Sequence, residues 1–118
     1  MNKLKLVRTL EYYDVPQLFI AEDDNGASFL CMLYDIANDG ELKIIGVIVS
    51  DDKLNDFIKG QVDLLTMFTS QEFEDSMFHI HMKEEGIYAE HYKGVLDSSM
   101  LPDEGYFYND NYRKRICN

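Results

Sequence analysis

The sequence predicts an α+β domain: an antiparallel sheet of about five to six strands in meander and hairpin order, with one or two helices packed on one face. Three observations lead there. Two Asx-Gly turn signals, Asn25-Gly26 and Asp39-Gly40, separate runs rich in β-branched and aromatic residues. After Ser50 the apolar pattern changes from alternation to helical spacing, with Leu54, Phe57 and Ile58 at i, i+3 and i+4. Alternation then returns on both sides of Glu84-Glu85-Gly86.

The first strand is Leu4 to Tyr13. Pro16 lacks a donor N–H and places a break before a second strand that starts near Gln17. Leu18-Phe19-Ile20-Ala21 then runs into Asp24-Asn25-Gly26-Ala27, where Asn-Gly tolerates the positive φ angles of a type I′ turn. A two-residue loop there sets Ile20 opposite Cys31 and Leu18 opposite Leu33, with Ala21 opposite Leu30 and Phe19 opposite Met32 on the other face. Both faces are apolar, so this pair belongs inside the fold, covered on each side. Asp39-Gly40 separates Phe29–Ile36 from Leu42–Val49. In the latter, the uncharged run 44–49 reads as a buried strand, and Gly46 marks a bulge or a close approach.

Ser50 is the expected N-cap of the first helix, Asp51 and Asp52 suit its positive end, and Gly60 stops it. Asp63 caps a second short helix over Leu64 to Phe68. Residues 71–75 form an acidic connector. Met77–Met82 and Ile87–Val95 read as a further hairpin, after which Pro102 and turn formers weaken the pattern. The chain is read as one domain over residues 1–118, with 96–118 as a docked irregular segment.

Composition bounds the function. The formal net charge is 11 minus 22, or −11, spread evenly: residues 1–50 carry 4 basic and 8 acidic groups, and 51–118 carry 7 and 14. That balance disfavours direct binding of nucleic acid or an anionic membrane, since phosphate neutralisation needs a basic face. A hydrophobic fraction of 46%, with eight Tyr and seven Phe, supports a packed core. Cys31 and Cys117 make neither a disulfide framework nor a paired zinc motif, and no long apolar run or signal-peptide pattern is seen. The expected location is the cytoplasm.

Candidate sites are few. His79 and His81 share one strand face, as many metal sites require, and the hairpin register decides whether His91 joins them. A three-residue loop aligns His79 with His91 and gathers all three rings. An even loop opposes Phe78, Ile80 and Met82 to His91, Ala89 and Ile87, and leaves His79 and His81 beside Tyr88 and Glu90. Apolar matching favours the even loop, so no metal, cofactor or catalytic residue is assigned. Cys31 lies mid-strand and reads as a packed thiol. The acid pairs Asp23-Asp24, Asp51-Asp52 and Glu84-Glu85 fall at turns or a helix start, where solvation and capping explain them. Tyr106, Phe107, Tyr108 and Tyr112, followed by Arg113 and Arg115 in the one basic run, are the candidate partner-binding residues, because aromatics and Arg dominate interface hot spots.

Tyr13, Asp14 and Pro16, then Leu18, Phe19 and Ala21, then Gly26 and Leu30, form a Tyr-Asp-x-Pro segment, a Leu-Phe-x-Ala strand and an acidic turn. Val49 and Ser50 end a strand before a helix carrying Leu54, Gly60, Asp63, Leu64 and Phe68. Over residues 12–68 this resembles a family of short, functionally uncharacterised bacterial proteins. The resemblance implies the strand-turn-strand-helix order and no activity.

The expected function is a non-catalytic protein-protein interaction module with a protein partner, homodimerisation being open. Two rivals stand beside it. One is a phage or mobile-element inhibitor that mimics nucleic-acid charge, which requires its acids along one face. The other is a small metal-dependent hydrolase built on His79, His81 and His91.

Overall fold

Six strands, each hydrogen-bonded to the next in sequence, close into an antiparallel barrel because the first also pairs with the last. The computed structural model describes residues 2–70, 76–93 and 97–108. The strands are β1 (Asn2–Tyr13), β2 (Val15–Glu22), β3 (Ser28–Ile36), β4 (Leu42–Val49), β5 (Met77–Lys83) and β6 (Gly86–His91). Helices α1 (Asp51–Ile58) and α2 (Leu64–Thr69) fill the β4–β5 connection, and Ser98–Met100 form a 3₁₀ turn.

This corrects the expected open α+β sheet with helices on one face. The protein is mostly β, and its sheet closes on itself. Closure rests on Asn2, Lys3 and Leu4 pairing with Ala89, Tyr88 and Ile87, a contact between chain ends that leaves no local pattern in the sequence.

The two-sided apolar character of β2 and β3 has its explanation in that closure. Phe19, Ala21, Phe29 and Cys31 point into the barrel, where they meet Leu4, Ile44, Phe78, Ile80, Ile87 and Ala89. Phe29 and Phe78 pack edge to face at 5.1 Å. Leu18, Ile20, Leu30 and Met32 point outward into a second cluster with Leu54, Phe57, Met67 and Phe68 of the helices. Fully burying Phe57 and Phe68 contributes on the order of 2 kcal/mol each in transfer free energy.

Gly46 allows a close approach. It pairs with Cys31 and Phe78, and a methyl group in its place would lie 2.9 Å from Ile80 Cγ1 and Cδ1.

Both Asx-Gly turns form, with a geometry other than type I′. Only Gly26 (φ 83°) and Gly40 (φ 89°) have positive φ in these loops. In the first, Gly26 N–H donates to the Asp23 carbonyl at 3.1 Å, and Asp23 N–H donates to the Ala27 carbonyl at 3.1 Å. The Asp23 carboxylate accepts from the Asn25 and Ala27 N–H groups, each at 2.9 Å. Three residues are therefore spanned, as in a type I turn with a glycine bulge. Register moves by one residue from the expected pairing: Phe19 opposes Cys31 and Ile20 opposes Leu30. The Asp23 side chain draws the extra residue into the loop, a choice that Asn-Gly alone does not encode.

Two strand limits also differ. The β1–β2 break falls at Asp14 (φ 62°), with Tyr13 opposite Val15. Pro16 lies within β2, where its missing donor is tolerated because β3 pairs only from Leu18 onward. Strand β6 ends at His91, short of the expected Val95, which lies outside the described residues.

The helix signals match the local structure. Ser50 Oγ accepts from Lys53 N–H at 3.3 Å, and α1 ends with Gly60 and Gln61 N–H groups donating to the Phe57 and Asp56 carbonyls. Asp63 caps α2 by accepting from Thr66 N–H at 3.0 Å.

Candidate functional site

Strand alternation and a two-residue turn place the histidines. Lys83 opposes Gly86, which sets Phe78 opposite His91, His79 opposite Glu90 and His81 opposite Tyr88. This is the register that apolar matching favours. His91 consequently lies against Phe78, with ring centroids 4.5 Å apart, while His79 and His81 occupy the other face of β5 with centroids 6.5 Å apart. His79 packs on Tyr92 at 4.7 Å. His81 Nε2–H donates to Glu90 Oε1 at 3.1 Å, and this bond holds the Glu90 carboxyl below its ordinary range.

Around these groups lie two clefts. One, of about 590 Å³, is lined by Asn2, His79, Ala89, Glu90, His91 and Lys93. A smaller one, of about 200 Å³, includes Tyr34, Lys43, His79 and His81. Burial pushes the Tyr34 phenol up, and Tyr92 and Asp35 add to the effect. Among the described residues, no three His, Cys, Asp or Glu side chains are grouped to hold a metal ion. Cys31 is a free thiol buried inside the barrel, where desolvation raises its pKa and makes it a poor nucleophile.

The C-terminal aromatics are docked through α2. Asp63 uses its second carboxylate oxygen to accept from Gly105 N–H at 2.9 Å, and Leu64 N–H donates to the Tyr106 carbonyl at 2.9 Å. The hydrogen bonds from Thr66 and Gly105 hold the Asp63 carboxyl below its ordinary range. Tyr108 is thereby buried against Phe57, with centroids 6.0 Å apart, and its carbonyl closely approaches Gly60. Tyr106 is half-buried, and Phe107 is exposed. Tyr112, Arg113 and Arg115 lie outside the described residues.

A surface that sequence reasoning missed runs along β1. Its twelve residues pair with β2 from Lys5 to Tyr13, but with β6 only over Asn2–Leu4. Beyond Leu4, the β6 side of β1 has no strand neighbour among the described residues. Leu6 is 44% exposed, Val7 53%, Tyr12 61% and Tyr13 77%. Register shifts at Val7 and Leu10 bend the strand. Tyr12 and the following turn are braced: the Tyr12 hydroxyl donates to the Asp14 carbonyl at 3.0 Å, and Gln17 Nε2 donates to the Tyr13 carbonyl at 3.1 Å. No local sequence signal reports this edge, because which part of β1 lacks a second neighbour depends on its pairing with β6 at the far end of the chain.

These features define a small closed β-barrel domain with an outer helical cover and, among the described residues, a partly unpaired edge on β1. The chain belongs to the Family of unknown function (DUF6575), whose model matches residues 1–113. The match takes in the second half of the chain, beyond the 12–68 window that the motifs define. No curated protein and no solved structure matches the chain. No helix among the described residues is long and apolar enough to cross a membrane.

Proposed function

We propose that this chain is a non-catalytic protein-protein interaction module, and that its contact surface is the overhanging edge of β1 with the Tyr12–Asp14 tip. The observation that carries the proposal is the concentration of four exposed large apolar residues, Leu6, Val7, Tyr12 and Tyr13, on one strand whose outer edge lacks a strand neighbour among the described residues. Exposed strand edges recruit extended partners through main-chain hydrogen bonds, and neighbouring side chains set specificity. Of the C-terminal aromatic residues, Phe107 adds an exposed ring, whereas Tyr108 serves the core.

The reading as a charge mimic lacks comparable support. Acidic turns stand at both ends of the barrel, Asp23 and Asp24 at one and Asp14 and Asp39 at the other, where they accept backbone hydrogen bonds or shape turns. The hydrolase reading needs three imidazoles together, and His91 lies on the other face. A reduced compartment, the cytoplasm, suits the buried free thiol of Cys31.

The test is a photo-crosslinking residue at Val7 in the full chain, expressed in its host, with the same probe at Lys59 as control. The expected result is a protein adduct specific to Val7. Absence of any protein adduct above the Lys59 control refutes the proposal.

A further inference from the structure

Independently of the β1 edge, we infer that the smaller cleft, across β3, β4 and β5, binds a small phosphate-bearing anion through the Lys43 ammonium, the Tyr34 hydroxyl and the His79 imidazole. These three side chains line one cavity of about 200 Å³, together with His81 and Glu41. The strands bring them there. An irregularity between Leu33 and Asp35 leaves Tyr34 as an extra residue beside Lys43. Ile45 opposes His79, so Lys43, two residues before Ile45, shares the sheet face of His79.

The unused bonding capacity of these groups carries the inference. Among the described residues, no hydrogen bond or ion pair engages Lys43 Nζ, Tyr34 Oη or either ring nitrogen of His79. The neighbouring groups are committed elsewhere: His81 bonds Glu90 at 3.1 Å, and the Asp35 carboxylate, opposite Lys43 in register, accepts from Ile36 N–H at 2.8 Å. Lys43 brings a positive charge and donors with no acceptor. Burial pushes the Tyr34 phenol up, so it stays protonated and able to donate. Donors converging in a concavity are what an oxyanion requires.

The site is also held in place. The His79 ring packs on Tyr92 at 4.7 Å, and Tyr92 N–H donates to the Met77 carbonyl at 3.0 Å. Its volume falls below the roughly 300–1,000 Å³ of sites for larger ligands, which suits a phosphoryl group. An extended polyanion needs a basic face, and this chain of net charge −11 disfavours one; a single phosphoryl group needs only local donors. The Glu41 carboxylate opposes such an anion, and its removal is therefore part of the test.

The test is an NMR titration of the full chain with inorganic phosphate at constant pH and ionic strength, read at the His79 and His81 ring protons. Saturable shifts that sodium chloride does not reproduce are expected. Lys43→Met weakens binding by about tenfold or more, because a charge-assisted hydrogen bond is lost, and Tyr34→Phe by about threefold or more. Glu41→Gln tightens it by removing a like charge. Lys59→Met, at the end of α1, leaves it unchanged. Circular-dichroism melts confirm that each variant folds. Phenyl phosphate serves as a second probe: tighter binding than inorganic phosphate identifies an ester as the ligand, and binding no tighter identifies the free anion. Shifts that stay linear in phosphate, or that chloride reproduces, overturn the inference. So does binding that is indifferent to both Lys43→Met and Tyr34→Phe, or that Lys59→Met weakens as much as Lys43→Met.

Discussion

Gly46→Ala tests the packing of β4 against its neighbouring strands directly. Gly46 has ordinary backbone dihedrals, absent from the positive-φ set, so the penalty for a side chain there is steric. The added methyl would lie 2.9 Å from both Ile80 Cγ1 and Cδ1 and 3.3 Å from Cys31 Sγ. Ordinary carbon contacts fall at about 3.5–4.0 Å, so both Ile80 contacts are well inside the repulsive wall. Ile80 and Cys31 are themselves packed inside the barrel and have little room to retreat. Overpacking of this kind costs about 1–3 kcal/mol, and two simultaneous overlaps argue for the upper end. Lower unfolded-state entropy from replacing glycine offsets about 0.5–1 kcal/mol, leaving a net loss of about 2 kcal/mol. At this chain length that corresponds to a fall in Tm of roughly 8 °C. The assay is urea unfolding with a double-mutant cycle. Ile80→Val alone costs about 1 kcal/mol. Because it removes Cδ1, the combined variant G46A/I80V should be more stable than the sum of the singles by about 1 kcal/mol. A neutral Gly46→Ala, or strict additivity with Ile80→Val, refutes the packing of β4 against β5 inside a closed barrel.

Two further predictions concern carboxylates with depressed pKa. For Asp63, stability is present above the unfolded carboxyl value of about 4 and lost as pH falls through the lower folded value. Asp63→Asn should flatten the acid limb of the stability profile, and Asp63→Ala should speed hydrogen exchange at Gly105 and Thr66. Unchanged exchange at both amides removes the clamp. For Glu90 the sign is the same, and the hydrogen bond from His81 is the leading cause. His81→Ala should therefore move the Glu90 titration midpoint upward in carboxyl carbon NMR, and a fixed midpoint rules that bond out as the cause.

Much of the local structure was legible because its causes are local. Ser50 and Asp63 cap helices by hydrogen bonds within three residues, and Gly60 ends α1 by adopting a positive φ. The β5–β6 register followed from matching Phe78, Ile80 and Met82 to His91, Ala89 and Ile87, which also predicted that the three imidazoles separate. The β2–β3 register was misread because the Asp23 carboxylate competes for two loop amides, a side-chain contribution that the Asn-Gly signal does not report. The aromatic segment was half legible: Tyr106 to Phe107 to Tyr108 was visible as a cluster, but its exposure depends on Asp63 reaching across 42 residues to Gly105.

What the sequence by itself determined was strand and helix identity, the turn sites, the caps and the excess of acids at turns, since each depends on residues a few positions apart. Tertiary structure alone decided that the sheet closes, that one apolar face of β2 and β3 fills a barrel while the other receives helices, and that β1 overhangs with its edge exposed. The physical reason is common to all three. Closure joins Asn2–Leu4 to Ile87–Ala89, and once three pairs have joined these distant segments, the rest of β1 has outrun its neighbour.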